Sequence, residues 1–221
     1  MKKIITAIIF SVFLSTSASA EIGVNIGISG NLGIAAATGQ ETHTDGSKSG
    51  SATTADKESE IAALGYQSIF IEKTLFDRFA IGIDYVPSAI SSETAETNKK
   101  DRTTTATPTD RTNTIKVDFE DLTTYYVAMD VTDNLYLKAG MATVDLITKE
   151  TLETGASYGN TDMDAVVLGF GWNKTFDNSL FVRLESTYMN FDGVSLTSGE
   201  NTVSLKNLDT ITGKLSIGKS F

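Results

Sequence analysis

A chain of 221 residues suffices for one domain with a sizeable core or for one closed barrel. Its formal net charge of -10 gives no bulk attraction to nucleic acid or to anionic membrane surfaces. It has no cysteine, so no disulfide can hold an exported fold together and strand pairing must do that work.

Residues 1–20 read as a secretory signal peptide. Lys2 and Lys3 form a positive start, Ile4 to Leu14 a short apolar run, and Ala18 and Ala20 sit where a signal peptidase cuts. The run is short for a membrane span, so cleavage is the expectation, leaving 21–221 as one barrel domain. Losing the two lysines and no acid takes the charge from -10 to -12. No later apolar run is long enough for a transmembrane helix, so a mature chain in a membrane must span it as a closed barrel.

From Ile22 to Ala36 the even positions are mostly large and apolar (Ile22, Val24, Ile26, Ile28, Leu32, Ile34), while the odd ones are small or polar. A period of two predicts a strand with one apolar face. Short turns at Phe76–Phe79, Thr132–Leu135 and Phe176–Ser179 carry Asp or Asn and are flanked by alternating segments, predicting three hairpins. Strands are expected near 22–36, 61–75, 79–87, 115–131, 135–146, 163–175, 180–191 and 206–221. Stretches 38–60, 88–114, 148–161 and 192–205 are poor in apolar residues and are expected as mobile loops. Long and short connections alternate, which is the pattern of an all-β, eight-stranded antiparallel up-and-down transmembrane β-barrel.

A soluble barrel would turn its bulky apolar face inward, whereas a membrane barrel turns it outward. The face of the first strand opposite its isoleucines is Gly, Asn and Ser, which suits a narrow lumen. Fourth-strand residues Val117, Phe119, Tyr125, Val127, Met129 and Val131 share one parity; Lys116, Asp118, Glu120, Thr124 and Asp130 share the other. Leu180, Val182, Leu184 and Tyr188 are expected outward, with Arg183, Glu185 and Thr187 inward. Ile69 and Ile71 are expected outward with Glu72 inward. Charges at mid-strand are costly against lipid, so Glu72, Asp118, Asp130, Lys138, Arg183, Glu185 and Lys214 are expected to form a salt-bridge network that plugs the lumen. A water-filled pore is the competing view, but eight strands leave room for little beyond side chains.

The last segment, LDTITGKLSIGKSF, places Ile211, Leu215, Ile217 and the terminal Phe221 on one face, with Lys219 interrupting the apolar series. A terminal aromatic after alternating apolar residues resembles the C-terminal signature of outer-membrane barrels, which implies recognition by the barrel-assembly machinery. With FAIGIDYVP (79–87) and LFVRLESTYMNFDG (180–193), the mature chain resembles the small outer-membrane β-barrel family of OmpX, the OmpA transmembrane domain and the neisserial opacity proteins. That resemblance implies a bacterial outer-membrane location, with membrane lipids and lipopolysaccharide as surroundings. No counterpart of the peptidoglycan-binding domain of OmpA is expected after Phe221, so the resemblance does not imply tethering of the cell wall.

No residue pattern marks an active site or a cofactor site. His43 stands alone in a polar stretch, and no serine lies in a nucleophile motif. Asp56, Glu58 and Glu60 form an acidic run that reads as solvated rather than as a metal site, as does the basic group Lys99, Lys100 and Arg102. Trp172, Tyr188 and Phe119 are expected in an aromatic girdle. The expected protein is a monomeric, non-enzymatic barrel serving envelope integrity or adhesion to an unnamed surface ligand. Alternatives are a narrow channel or OmpW-like conduit for small solutes, and a lipid-A-modifying enzyme.

Overall fold

The computed structural model describes residues 23–44, 53–76, 78–92, 95–101, 109–152, 157–198 and 201–221; the leader segment 1–20 lies outside them. The elements are β1 (Val24–Thr44), β2 (Thr53–Leu75), β3 (Phe79–Tyr85), β4 (Ile90–Ser91), β5 (Ala95–Asp101), β6 (Thr109–Asp130), β7 (Leu135–Leu152), β8 (Thr161–Thr175), β9 (Leu180–Phe191), β10 (Val194–Ser198) and β11 (Asn201–Ser220). Eight of them make the wall in the order β1-β2-β3-β6-β7-β8-β9-β11. The ring closes where β1 pairs with β11, from Asn25 against Ser220 to Thr42 against Thr202. Strands β4 and β5 pair with β6, and β10 forms a hairpin with β11.

Alternation decides which face meets which medium. Ile28, Leu32 and Phe170 on the outer face are 65%, 75% and 65% exposed, far beyond what an aqueous barrel tolerates over a whole wall. They belong to a continuous outer belt with Ile26, Ile34, Ile69, Ile71, Val127, Met141, Val166, Leu168, Leu184, Ile211, Leu215 and Ile217. Such a belt around a closed ring is the arrangement that satisfies every backbone group inside lipid.

The strands run further outward than composition suggested. The polar stretches 38–60, 88–114, 148–161 and 192–205 were expected as loops, yet β1 and β2 stay paired out to Thr44 against Thr53 and β5 folds back on β6. The correction has a simple cause. Beyond the membrane both faces of a ladder can be hydrated, so backbone pairing needs no apolar side chains, and Thr suits extended backbone.

The tight turns are held by short polar side chains. Asn178 Oδ1 accepts from the Leu180 amide at 3.2 Å, and Thr132 Oγ1 accepts from the Leu135 amide at 3.0 Å. Phe76 and Ser179 take positive φ values of 55° and 64°, which reverse the chain without glycine.

Two irregularities shape the wall. At Asp121 (φ 55°) an extra residue bulges from β6, and the register with β7 shifts between Glu120 and Thr123. Outward of the bulge the parity is reversed: Phe119 pairs with Leu146 and packs with Val117 against the interior apolar cluster. The expected single parity along this strand is therefore corrected, and Phe119 is not a girdle residue. The second irregularity is on β3. Its ladder with β2 ends at Ile69 against Tyr85. Two residues further Gln67 would stand opposite Pro87, which has no N–H to donate, and beyond Ile69 β2 pairs only with β1 among the described residues.

Candidate functional site

The inward face divides into two layers. Outward lies an apolar layer of Val86, Leu122, Val144, Leu146, Met163, Val167, Met189, Phe191 and Leu208, all buried. Toward the short turns lies a layer of charges and aromatic rings, and this is the candidate functional site.

Glycines make room for the rings. Tyr126 crosses the lumen beside Gly82, its cross-strand partner, where an added Cβ would fall 2.5 Å from the ring. Gly218, partner of Phe181, leaves the same space for that ring. A strand that alternates glycine with polar residues is thus the complement of an aromatic one strand away.

At the centre Arg183 meets Glu72 in a bidentate pair, Nη1 to Oε1 at 2.5 Å and Nη2 to Oε2 at 2.6 Å. Glu72 is 1% exposed, so a lone charge there would be costly; it is saturated instead. Tyr126 donates its hydroxyl to Oε1 at 2.8 Å, and Asn25 Nδ2 donates to Oε2 at 3.3 Å. The guanidinium also donates through Nε to Asn173 Oδ1 at 3.2 Å and lies 4.7 Å from the Phe181 ring centre.

A second centre surrounds Glu185. It pairs with Lys138, accepts the Tyr136 hydroxyl at 2.7 Å on Oε2 and the Thr187 hydroxyl at 2.7 Å on Oε1. Lys138 also sits 4.8 Å from the Tyr126 ring centre, which joins the two centres. A third pair, Lys214 with Asp84, adds a cation near the Phe70 ring. Ser29 and Ser216 share a hydrogen bond of 2.8 Å across the closing seam.

The structure brings Glu72, Lys138, Arg183, Glu185 and Lys214 into this layer. It does not bring Asp118, which the bulge at Asp121 turns to the opposite face from Phe119. There Asp118 pairs with Lys149 and lies 3.7 Å from Lys116. A hydrogen bond from Lys149, then one from Ser91, holds this carboxyl below the usual carboxylate range. Asp130 stands at the inner end of β6, exposed, and makes no ion pair among the described residues.

Sequence reading had not singled out Asp84, Tyr126, Tyr136, Asn25, Phe70 or Phe181. Asp84 shares inward parity with Gly82, a signal that was present. The rings needed the cross-strand register, which no single strand reveals. Ile211, Leu215, Ile217 and Phe221 all face outward, about half exposed, and Lys219 places its Nζ 5.3 Å from the Phe221 ring centre. Trp172 and Tyr188 lie on the outer face. The side chains of His43, Asp56, Lys99 and Lys100, and all of Arg102, lie outside the described residues, while Glu58 and Glu60 are exposed on β2. Among the described residues no group of three or more His, Cys, Asp or Glu is placed to hold a metal.

A closed antiparallel ring with an apolar exterior and a charge-paired lumen defines the class: a transmembrane β-barrel. No family model matches the sequence, and no curated protein matches it. Solved structures with a similar fold include the outer membrane protease OmpT of Escherichia coli, at 11% identity and TM-score 0.48, covering 94% of this chain and 99% of that one. The attachment invasion locus protein Ail of Yersinia pestis, in complex with a heparin analogue, gives 10% identity and TM-score 0.40, covering 87% and 99%. The outer membrane protein OprG of Pseudomonas aeruginosa gives 14% and 0.42, covering 92% and 98%.

Proposed function

We propose that this chain is a non-enzymatic barrel of a bacterial outer membrane whose lumen is closed by its own charges, contributing to envelope integrity and presenting its extended polar strands to surface partners. The observation that carries the reading is the saturation of Glu72 and Glu185. Glu72 has a cation, one hydroxyl and one amide donor, and Glu185 has a cation and two hydroxyl donors, so these groups are spent on one another across the lumen. Membrane lipid and lipopolysaccharide surround the belt. In biogenesis the barrel-assembly machinery reads the last strand through Ile211, Leu215, Ile217 and Phe221. The leader 1–20 is cleaved on export.

The test is a deletion strain. Loss of the protein should sensitise cells to detergent, wild type should restore resistance, and lipid A should have the same mass spectrum with and without it. Unchanged detergent resistance would contradict the envelope role, and altered lipid A would contradict the absence of enzymatic activity.

A second reading, a conduit for small apolar solutes, is favoured by one feature. The wall loses its β2–β3 ladder at Pro87, beside an apolar inner layer that contains Val86 and Leu122. In that reading a solute enters from outside, meets the charged layer and leaves sideways. Replacing Pro87 by Val would restore a donor and should slow uptake; uptake indifferent to this change would exclude the route.

A further inference from the structure

Strands β8 and β11 flank β9 on one wall, and their outward faces carry the same charge pattern. On β8 the outward series runs from Asp164 to Lys174, and on β11 from Asp209 to Lys219, with only uncharged side chains between them on that face. Each Lys stands ten positions after its Asp. That is the length at which a tilted strand crosses a hydrocarbon layer of about 30 Å. The carboxylates therefore mark one interface of the membrane, and the lysines mark the other, on the short-turn side.

The two lysines converge on β9. Lys174 lies opposite Val182 and Lys219 opposite Leu180, which are successive outward positions of that strand. With neighbouring strands about 4.8 Å apart, the two backbones stand about 10 Å apart across the wall, close enough for both side chains to reach one phosphate between them. Lys219 places its Nζ 5.3 Å from the Phe221 ring centre, which holds the ammonium at the edge of the belt. Both lysines are exposed, and among the described residues neither has an ion pair. Lys138, Lys149, Arg183 and Lys214, by contrast, are each matched with a carboxylate. The chain has 28 acidic residues against 18 basic ones, yet it supplies no partner at this edge among the described residues. The counter-charge comes from the membrane.

We propose that Lys174 and Lys219 clamp the phosphate of an anionic glycerophospholipid in the leaflet on the short-turn side, with its acyl chains along Val182, Leu184 and Ile217. A zwitterionic phospholipid carries its own cation beside the phosphate and is held less tightly. Asp164 and Asp209 repel an anionic headgroup at the other end of the same strands, so the wall selects the leaflet as well as the lipid. The acidic excess of the chain does not oppose the clamp, because those carboxylates lie a membrane thickness away and screening sets in over about 8 Å at physiological ionic strength. The inference rests on the belt lying in a membrane and not on closure of the lumen.

The chain contains its own probe. Trp172 is the only tryptophan and lies two residues from Lys174 on the same face, 39% exposed. The full mature chain is refolded into phosphatidylcholine vesicles containing phosphatidylglycerol with brominated acyl chains. Quenching of Trp172 is compared with that by brominated phosphatidylcholine at the same fraction, and heat-dependent gel mobility confirms that each variant is folded. Unsubstituted protein should favour phosphatidylglycerol about fivefold, the scale of a lysine held near anionic headgroups. High salt should reduce that preference. Lys174→Gln together with Lys219→Gln should remove it, and replacing both lysines by Arg should retain it. Lys149→Gln, at the other interface on β7, should leave it unchanged. Equal quenching by the two lipids in the unsubstituted protein, or a preference that survives the double Gln replacement in a folded barrel, would overturn the proposal. Quenching by neither lipid would overturn it together with the membrane location.

Discussion

At the scale of single residues, the lumen is governed by the cost of leaving a charge alone. Arg183→Ala would strand Glu72, 1% exposed, and should cost about 3–5 kcal/mol in urea unfolding from vesicles. Replacing both partners by apolar residues should cost much less, since no orphan charge remains. Lys149→Ala removes a partner that is 56% exposed and should cost less than about 1 kcal/mol. Gly82→Leu should prevent the heat-dependent mobility shift of a folded barrel, because Tyr126 occupies the space. Single-strand parity sufficed to place Glu72, Arg183 and Glu185 inward. It could not show Tyr126 or Tyr136 as their donors, because a tyrosine serves equally on either face of such a barrel.

At the scale of elements, the bulge at Asp121 is the feature that sequence concealed. Asp is one of the few residue types that accept a positive φ, but nothing in the letters distinguishes this Asp from its neighbours Asp118 and Glu120. A single inserted residue exchanges the faces of everything outward of it. Deleting Asp121 should therefore turn Asp118 inward and Phe119 outward, and a cysteine placed at 116, on the same face as Asp118 and 37% exposed, should lose its reactivity to membrane-impermeant thiol reagents at the cell surface. Unchanged reactivity would show that the register absorbs the deletion elsewhere. Acid probes the same region. Asp118 has a folded pKa below its unfolded value, so its contribution is present at neutral pH and is lost as pH falls below about 4 toward that depressed pKa. Amide exchange at the outer ends of β6 and β7 should rise on that acidification, and in Lys149→Ala it should already be raised at neutral pH. The eight wall strands and their hairpins were legible because lipid on one side and a narrow lumen on the other impose strict alternation. Outward of the belt that constraint lapses, and with it the signal: polar, Thr-rich segments read as loops although they continue the ladders.

At the scale of the whole molecule, two features oppose each other. The ring is closed from β1 to β11 and carries paired charges on its inner face, yet its wall is thinned at Pro87 and the outward layer of its lumen is apolar. The plugged-barrel account gives the filling the decisive role, since the pairs around Glu72 and Glu185 span the lumen between strands distant in sequence. Single-channel recording of the purified barrel in planar bilayers tests that claim most directly. The account predicts no stable conductance for the native chain and brief openings when Arg183 and Glu72 are both replaced by Ala. A steady open conductance in the native protein, unaltered by that double replacement, would contradict it.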